Sequence, residues 1–273
     1  MKSKFCLILT FSFIGLASDF VQSQQADSKD DLRIAVQKIC PVSGSKLGSM
    51  GKPVKIKLGE ETAFLCCKGC VGKQVKLEHW KKVQTNLATA QQKCPIMKKP
   101  VDSKMKSTVV NGQRVFVCCP PCIDKIKKNP DASLKMVNDM YKSFITTQAN
   151  SNAEKLHIAA QAICPVTGGK LGSMGKPVKV KVGEEHVYVC CKGCLSKKID
   201  VAHWKTIQAN LANAQGICPI MKKPVDAKMK YTVINGRKIF VCCPPCIEKI
   251  EAKPDVYVTE LNKLYLKANT QSK

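Results

Sequence analysis

Four times along the chain an apolar run ends in two adjacent cysteines, with a third cysteine three residues further on. Phe64–Cys70 reads FLCCKGC, Val117–Cys122 VCCPPC, Val189–Cys194 VCCKGC and Val241–Cys246 VCCPPC. Upstream of each stands a lone Cys-Pro: Cys40-Pro41, Cys94-Pro95, Cys164-Pro165 and Cys218-Pro219. Of 17 cysteines, Cys6 stands apart and the rest form four groups of four: Cys40, Cys66, Cys67, Cys70; Cys94, Cys118, Cys119, Cys122; Cys164, Cys190, Cys191, Cys194; and Cys218, Cys242, Cys243, Cys246. A Cys-x-x-Cys at a strand-to-helix junction aims both sulfurs into one concavity, where a helix N-terminus favours the thiolate. Zinc and Cu(I) take such ligands in closed sites of four or fewer donors. Each group is therefore read as one metal site of four cysteines, with Zn or Cu(I) as the ion, up to one per module. Neighbouring residues in an extended strand point to opposite faces, so both vicinal cysteines reach one ion only if the chain bends at the strand end. Three of the four with an outside ligand is the alternative set. Disulfides are the alternative chemistry; four cysteines permit three pairings, and sequence does not choose among them.

The other candidate ligands are few. His79 and His203 follow Cys70 and Cys194 by nine residues and read as helix-surface residues beside Trp80 and Trp204, with ligation or support of the site as the alternative. His157 and His186 have no histidine counterpart in the other half and read as surface residues. Met50, Met97 and Met105 recur as Met174, Met221 and Met229. They read as gap-filling core residues, with Cu(I) ligation by thioether as the alternative. No Ser/His/Asp set, paired carboxylates, phosphate loop or dinucleotide fingerprint is present. A thioredoxin-like βαβ pattern around the Cys-x-x-Cys is missing too, so the chain is read as a non-enzyme.

The elements that must position the cysteines follow from periodicity. Cys40–Glu61 and Cys164–Glu185 agree at 18 of 22 positions, and Cys66, His79, Trp80, Cys94 and Cys118 recur 124 residues on, which marks a tandem duplication. Each half holds two related modules. In the odd ones Val54, Ile56 and Leu58 alternate with Lys55 and Lys57, the period of a half-buried strand. Gly59-Glu60-Glu61 makes the turn and Ala63–Cys66 returns. In the even ones the turns are Asn111-Gly112 and Asn235-Gly236, where both residues tolerate positive φ. A helix is predicted behind each Cys-x-x-Cys. Val71, Val75, Val83 and Leu87 recur at roughly helical spacing, with Trp80 in the same core stripe. Behind Cys122 a short helix meets Pro130, which opens a second one with Leu134, Val137, Tyr141 and Phe144 on one face; Pro254 repeats the break. The expected fold class is small α+β: four Cys-rich modules, each a β-hairpin plus helix, as a tandem duplication of two-module halves. The modules span 40–93, 94–145, 164–217 and 218–273, after a lead-in over 24–39 and with a linker over 146–163. The helix joining each odd module to its even neighbour suggests fixed pairs.

Lys2 and Lys4 precede the apolar run Phe5–Ala17, and small and polar residues lead to Val21-Gln22-Ser23. This reads as a signal peptide over 1–23, cleaved near Ser23, and its run is short for a transmembrane helix. The mature chain is expected to be exported, periplasmic or secreted, with no transmembrane segment. Such compartments also favour disulfides. Export argues against a specific nucleic-acid partner despite the formal net charge of +25. An anionic cell-envelope surface is the polyanion that would suit the lysines. The lysines could equally offset thiolate charge, since four thiolates on one divalent ion leave about −2. Aromatic residues make up only 5% of the chain, which favours small stapled units over one large core. Two functional classes remain: a soft-metal binder for sequestration, buffering or delivery, and a structural module with zinc or disulfide staples.

The stretch VCCPPCIDKIKKNPD, Val117–Asp131, and its copy ending at Asp255 resemble the YHS/TRASH-like heavy-metal-binding modules. Those have an early Cys, a hairpin with a Gly turn, an aromatic followed by Cys-x-x-x-Cys, a short helix and an Asn-Pro-type break. Cys94 matches the early Cys, Cys118 and Cys122 the later pair, and Pro130 the break. The odd modules match with Cys40, Cys66 and Cys70 but lack the break. The resemblance covers nearly all of 40–257 and implies a treble-clef-like fold that binds soft heavy metals. Two features depart from the pattern. The first two cysteines are separated by 23 to 25 residues, somewhat long, and Cys67, Cys119, Cys191 and Cys243 lie outside the minimal motif. Those four could complete a four-thiolate site and so change the metal preference.

Overall fold

The structure is a computed structural model that describes residues 29–271; the export segment read over 1–23 lies outside the described residues. The chain divides into two compact units, Met1–Thr147 and Gln148–Lys273. In the first, helix α1 (29–37) is followed by β1 (Val54–Leu58), β2 (Glu61–Leu65), α2 (Leu77–Gln91), β3 (Ser107–Val110), β4 (Gln113–Phe116), α3 (Pro121–Lys128) and the first part of α4 (Pro130–Gln161). The second unit repeats the order. The end of α4 takes the place of α1, followed by β5 (Val178–Val182), β6 (Glu185–Val189), α5 (Val201–Gln215), β7 (Tyr231–Ile234), β8 (Arg237–Phe240), α6 (Pro245–Ala252) and α7 (Pro254–Gln271). The four strand pairs are separate antiparallel hairpins, one in each Cys-rich module. This is the mixed α+β, four-module layout that the repeats predict.

Hairpin register follows the alternation. Val54 faces Leu65 and Ile56 faces Ala63 in the first, while Lys55 and Lys57 stay exposed. In the second, Val110 pairs with Gln113 across Asn111 (φ 48°) and Gly112 (φ 75°). Two successive positive φ values give the turn twist that matches paired strands.

Two expectations need correction here. Behind Cys70 the predicted helix shrinks to one 3-10 turn, Lys68–Cys70, and α2 begins only at Leu77. Gly72 at φ 76° breaks the chain there, so Val71 and Leu77 are exposed and Trp80 is only half-buried. The stretch 146–163 read as linker contains the boundary between the two units and is helical through Gln161. No Gly or Pro interrupts the chain between 131 and 161, so the connection runs on as helix. His157, read as a surface residue, is 2% exposed and packs edge-on against Tyr188 at 5.4 Å.

Each even module has the larger core. Val36 of α1 joins Ala90, Val115, Ile126, Val137 and Tyr141 there, so the segment before the first cysteine is part of the packed unit. Cys40, Cys66 and Cys70 instead share a small cluster with Val42, Leu47, Phe64 and Leu65. Within the first unit the two modules are tied at β2 and the β3–β4 turn. Thr62 N–H donates to Gly112 O at 2.8 Å, and Arg33 Nη2 donates to both Thr62 O and Gly112 O. Arg114 and Glu61 add an ion pair. In the second unit His186 N–H donates to Gly236 O, and Lys238 pairs with Glu185 at 2.7 Å. The buried guanidinium has moved: His157 stands at the position of Arg33, and Arg237 at that of Gln113.

Candidate metal centre

Each centre is assembled from two arms. The first is a tight loop around the Cys-Pro. An isolated bridge between Ile39 and Lys46 closes it, Cys40 N–H donates to Ser45 O at 2.8 Å, and Gly44 N–H donates to Cys40 O at 2.9 Å. The proline fixes its own φ, and the residue four places after the cysteine must turn left-handed. Gly44 does so at φ 76° and Gly168 at 69°; in the even modules Lys98 and Lys222 accept the same conformation at 58° and 56°. The glycines also make room for a histidine: a Cβ on Gly44 would lie 2.7 Å from His79 Nε2, and one on Gly168 2.5 Å from His203 Nε2. His79 Nδ1 meets Val42 O at 3.1 Å. The two histidines thus brace the first arm, half-buried, rather than ride on the helix surface, and neither joins a ligand cluster.

The second arm is the return strand. β2 ends at Leu65, so Cys66 and Cys67 sit on the bend beyond it, which brings both sulfurs to one side. In the odd modules the arm closes in the 3-10 turn. In the even modules Pro121 and Pro245 open α3 and α6, and Cys122 and Cys246 lie in the first turn.

Three sulfurs of each group converge. Cys40, Cys66 and Cys70 lie within 4.8 Å of one another, as do Cys94, Cys118 and Cys122; Cys164, Cys190 and Cys194; and Cys218, Cys242 and Cys246. The fourth cysteine sits beside each triad. Cys67 Sγ is 3.9 Å from Cys66 Sγ and 4.0 Å from Cys70 Sγ. Cys119, Cys191 and Cys243 lie 3.3, 3.8 and 3.3 Å from Cys122, Cys194 and Cys246. All sixteen described cysteines are free, and these separations far exceed a disulfide bond of about 2.05 Å.

The proton distribution is uneven. Burial pushes the Cys40 thiol up, but N–H groups of Ser43, Cys66 and Val42 and the Ser43 hydroxyl outweigh it and bring it down to about 7. Cys164 falls to about 6 against burial, through N–H groups of Cys190, Thr167 and Val166 and the Thr167 hydroxyl. Burial, reinforced by the neighbouring sulfurs, pushes Cys70 and Cys194 up to about 12, and Cys122 and Cys246 also rise. In the even modules burial likewise pushes Cys94 and Cys218 up, but backbone N–H groups outweigh it and lower them, so each set joins a first cysteine biased toward the thiolate to a last one biased toward the thiol. A cation entering the set would replace the remaining protons.

Two further contributors went unread in the sequence. Gln37 Nε2 donates to Ile39 O at 2.9 Å and Phe64 O at 2.7 Å, while Phe64 N–H donates to Gln37 Oε1 at 2.9 Å. One buried amide thus clamps the residue before the first cysteine to the returning strand. Gln91 does the same for Lys93 and Phe116, Gln161 for Ile163 and Tyr188, and Gln215 for Ile217 and Phe240. The available signal was a glutamine three residues before every Cys-Pro. The second contributor is the residue three places after the first cysteine. Ser43 Oγ lies 3.3 Å from Cys66 Sγ and Thr167 Oγ1 3.6 Å from Cys190 Sγ. In the even modules Met97 and Met221 occupy that place. The six repeated methionines are 36% to 69% exposed, so they do not fill core gaps.

No protein-family model, curated protein or solved structure matches this chain. The cysteine clusters and their supports are therefore the basis for a functional reading. Among the described residues no helix is long and apolar enough to cross a membrane.

Proposed function

We propose that this protein is an exported, non-enzymatic binder of soft metal ions that takes up to one Zn(II) or Cu(I) per module on cysteine thiolates. The observation that carries the reading is the fourfold convergence of three sulfurs from two separate arms. The spacings suit such an ion. At a Zn–S distance near 2.3 Å the sulfurs of a tetrahedral site are about 3.8 Å apart, and within the converging triads Cys66 and Cys70 are separated by 3.7 Å and Cys190 and Cys194 by 3.6 Å. The lysine excess offsets thiolate charge in this reading. The modules would be treble-clef-like relatives of the YHS/TRASH-like group, and residues 1–23 the export segment.

The test is metal content by mass spectrometry on the mature protein, with thiols counted on the same sample before and after chelation. About four ions per chain, and thiols that become titratable on chelation, are expected for closed thiolate sites. Cys122→Ser should lower the content by one ion. A chain that takes up neither Zn(II) nor Cu(I) when reduced and loaded would refute the reading.

A further inference from the structure

The four cysteines of a module are not equivalent. In the first module Cys40 and Cys66 are fully buried and Cys70 nearly so, whereas Cys67 is half-exposed. Cys119, Cys191 and Cys243 are half-exposed as well, each on the bend that precedes a 3-10 turn or an α-helix; in the even modules Cys118 and Cys242, which belong to the triads, share that exposure. Cys67, Cys119, Cys191 and Cys243 pack at the edge of the core clusters and are the one cysteine of each group left outside its converging triad.

The sulfurs also define two triads that share an edge. The inner one is Cys40, Cys66 and Cys70. The outer one is Cys66, Cys67 and Cys70, with separations of 3.9, 3.7 and 4.0 Å. An ion held by the inner triad reaches the outer one by exchanging a single sulfur while keeping the other two. That path leads from a buried ligand, Cys40, to one that meets solvent.

Resting on the metal-binding reading above, we propose that the second cysteine of each vicinal pair is the exit ligand through which the ion passes to a thiolate-bearing acceptor. The protein is then a carrier rather than a store. In the step itself no electron moves. A metal–sulfur bond to Cys67 forms as the bond to Cys40 breaks. Acceptor thiolates then bond the ion one after another, each as one of Cys67, Cys66 and Cys70 leaves. The released thiolates take up protons from water, and the acceptor's thiols lose theirs. Ligand exchange of this kind needs an entering sulfur to approach the ion, and the half-exposed cysteine is where the module permits it.

The experiment compares the mature chain with its Cys67→Ser/Cys119→Ser/Cys191→Ser/Cys243→Ser variant, each reduced and loaded separately with Zn(II) and with Cu(I). Stoichiometry is read by mass spectrometry and transfer to a chromophoric thiol chelator by stopped flow. The variant should keep the native number of ions and release them roughly tenfold more slowly or worse, a barrier increase of at least about 1.4 kcal/mol. Loss of the ions from a folded variant would make these cysteines obligatory ligands and overturn the proposal, and so would release at the native rate. Because the variant could fail to fold, the loaded native chain is also pulse-alkylated and its cysteines ranked by peptide mass spectrometry. Cys67, Cys119, Cys191 and Cys243 should react first, and earlier reaction of Cys40 or Cys94 would also overturn it. A native chain that binds neither ion would instead sink the metal-binding reading itself, and this inference with it.

Discussion

Replacing Gln91 by alanine removes the amide that joins the two arms of the second module. Three hydrogen bonds go: two from Nε2, to Lys93 O and Phe116 O, and one accepted from Phe116 N–H. Each contributes about 1 kcal/mol net, and leaving the buried Phe116 N–H without a partner adds about 1–3 kcal/mol, so the loss should be about 4–6 kcal/mol. Gln91→Glu should be no milder, because its carboxylate keeps the acceptor but faces two carbonyl oxygens without a donor. The ligand arms should loosen with the clamp, and metal affinity at that module should fall by roughly 10- to 100-fold, the usual effect of losing a group that orients ligands. Urea denaturation and amide exchange at Phe116 measure the first effect. Competition with a metal indicator, combined with alkylation protection of Cys94 and Cys122, measures the second. The exposed Gln74→Ala change is the control. A stability loss below about 1 kcal/mol, with unchanged exchange at Phe116, would refute the idea that the amide holds the arms together.

Other substitutions probe separate supports. Gly44→Ala forces a β-carbon into the left-handed region and onto His79; it should cost about 1–2 kcal/mol from the backbone alone, with a further loss from the displaced ring, visible in denaturation curves. Lys238→Met breaks an ion pair whose side chains are 7% and 12% exposed and should cost about 3–5 kcal/mol. Lys55→Met, at an exposed pair with Asp30, should cost less than about 1 kcal/mol. Burial first, and then Arg237, hold His157 well below 6.5. The folded ring stays neutral while the unfolded one takes a proton below that pH. Stability of the second unit should therefore fall as pH drops from 6.5, by up to about 1.4 kcal/mol per pH unit. Trp204 fluorescence in a Trp80→Phe background should follow this, and His157→Gln should flatten most of the slope.

The hairpins and the cysteine groups were legible because their signals are local. Alternation sets which face of β1 is buried, and Asn-Gly sets where β3 turns into β4. The 3-10 turn after Cys67 was harder, since the apolar spacing of Val71 and Val75 mimics a helix that Gly72 forbids. Gln37 was illegible as a support because its partners are backbone groups of Phe64, 27 residues away, and polarity alone places a glutamine outside. His157 misled for a related reason. Its burial depends on Tyr188 and Tyr265, which no local pattern connects to it.

Each of these glutamines closes the chain loop that a bound ion would also close. Bringing the ends of a segment of about 26 residues together costs roughly 3 kcal/mol of chain entropy. With the loop already pinned by an amide, an arriving ion meets its ligands without that penalty, which is worth about a hundredfold in affinity. Uptake by the empty modules should then be a fast, single-phase event with no folding step in it. The release of an ion should leave each loop closed and ready for the next.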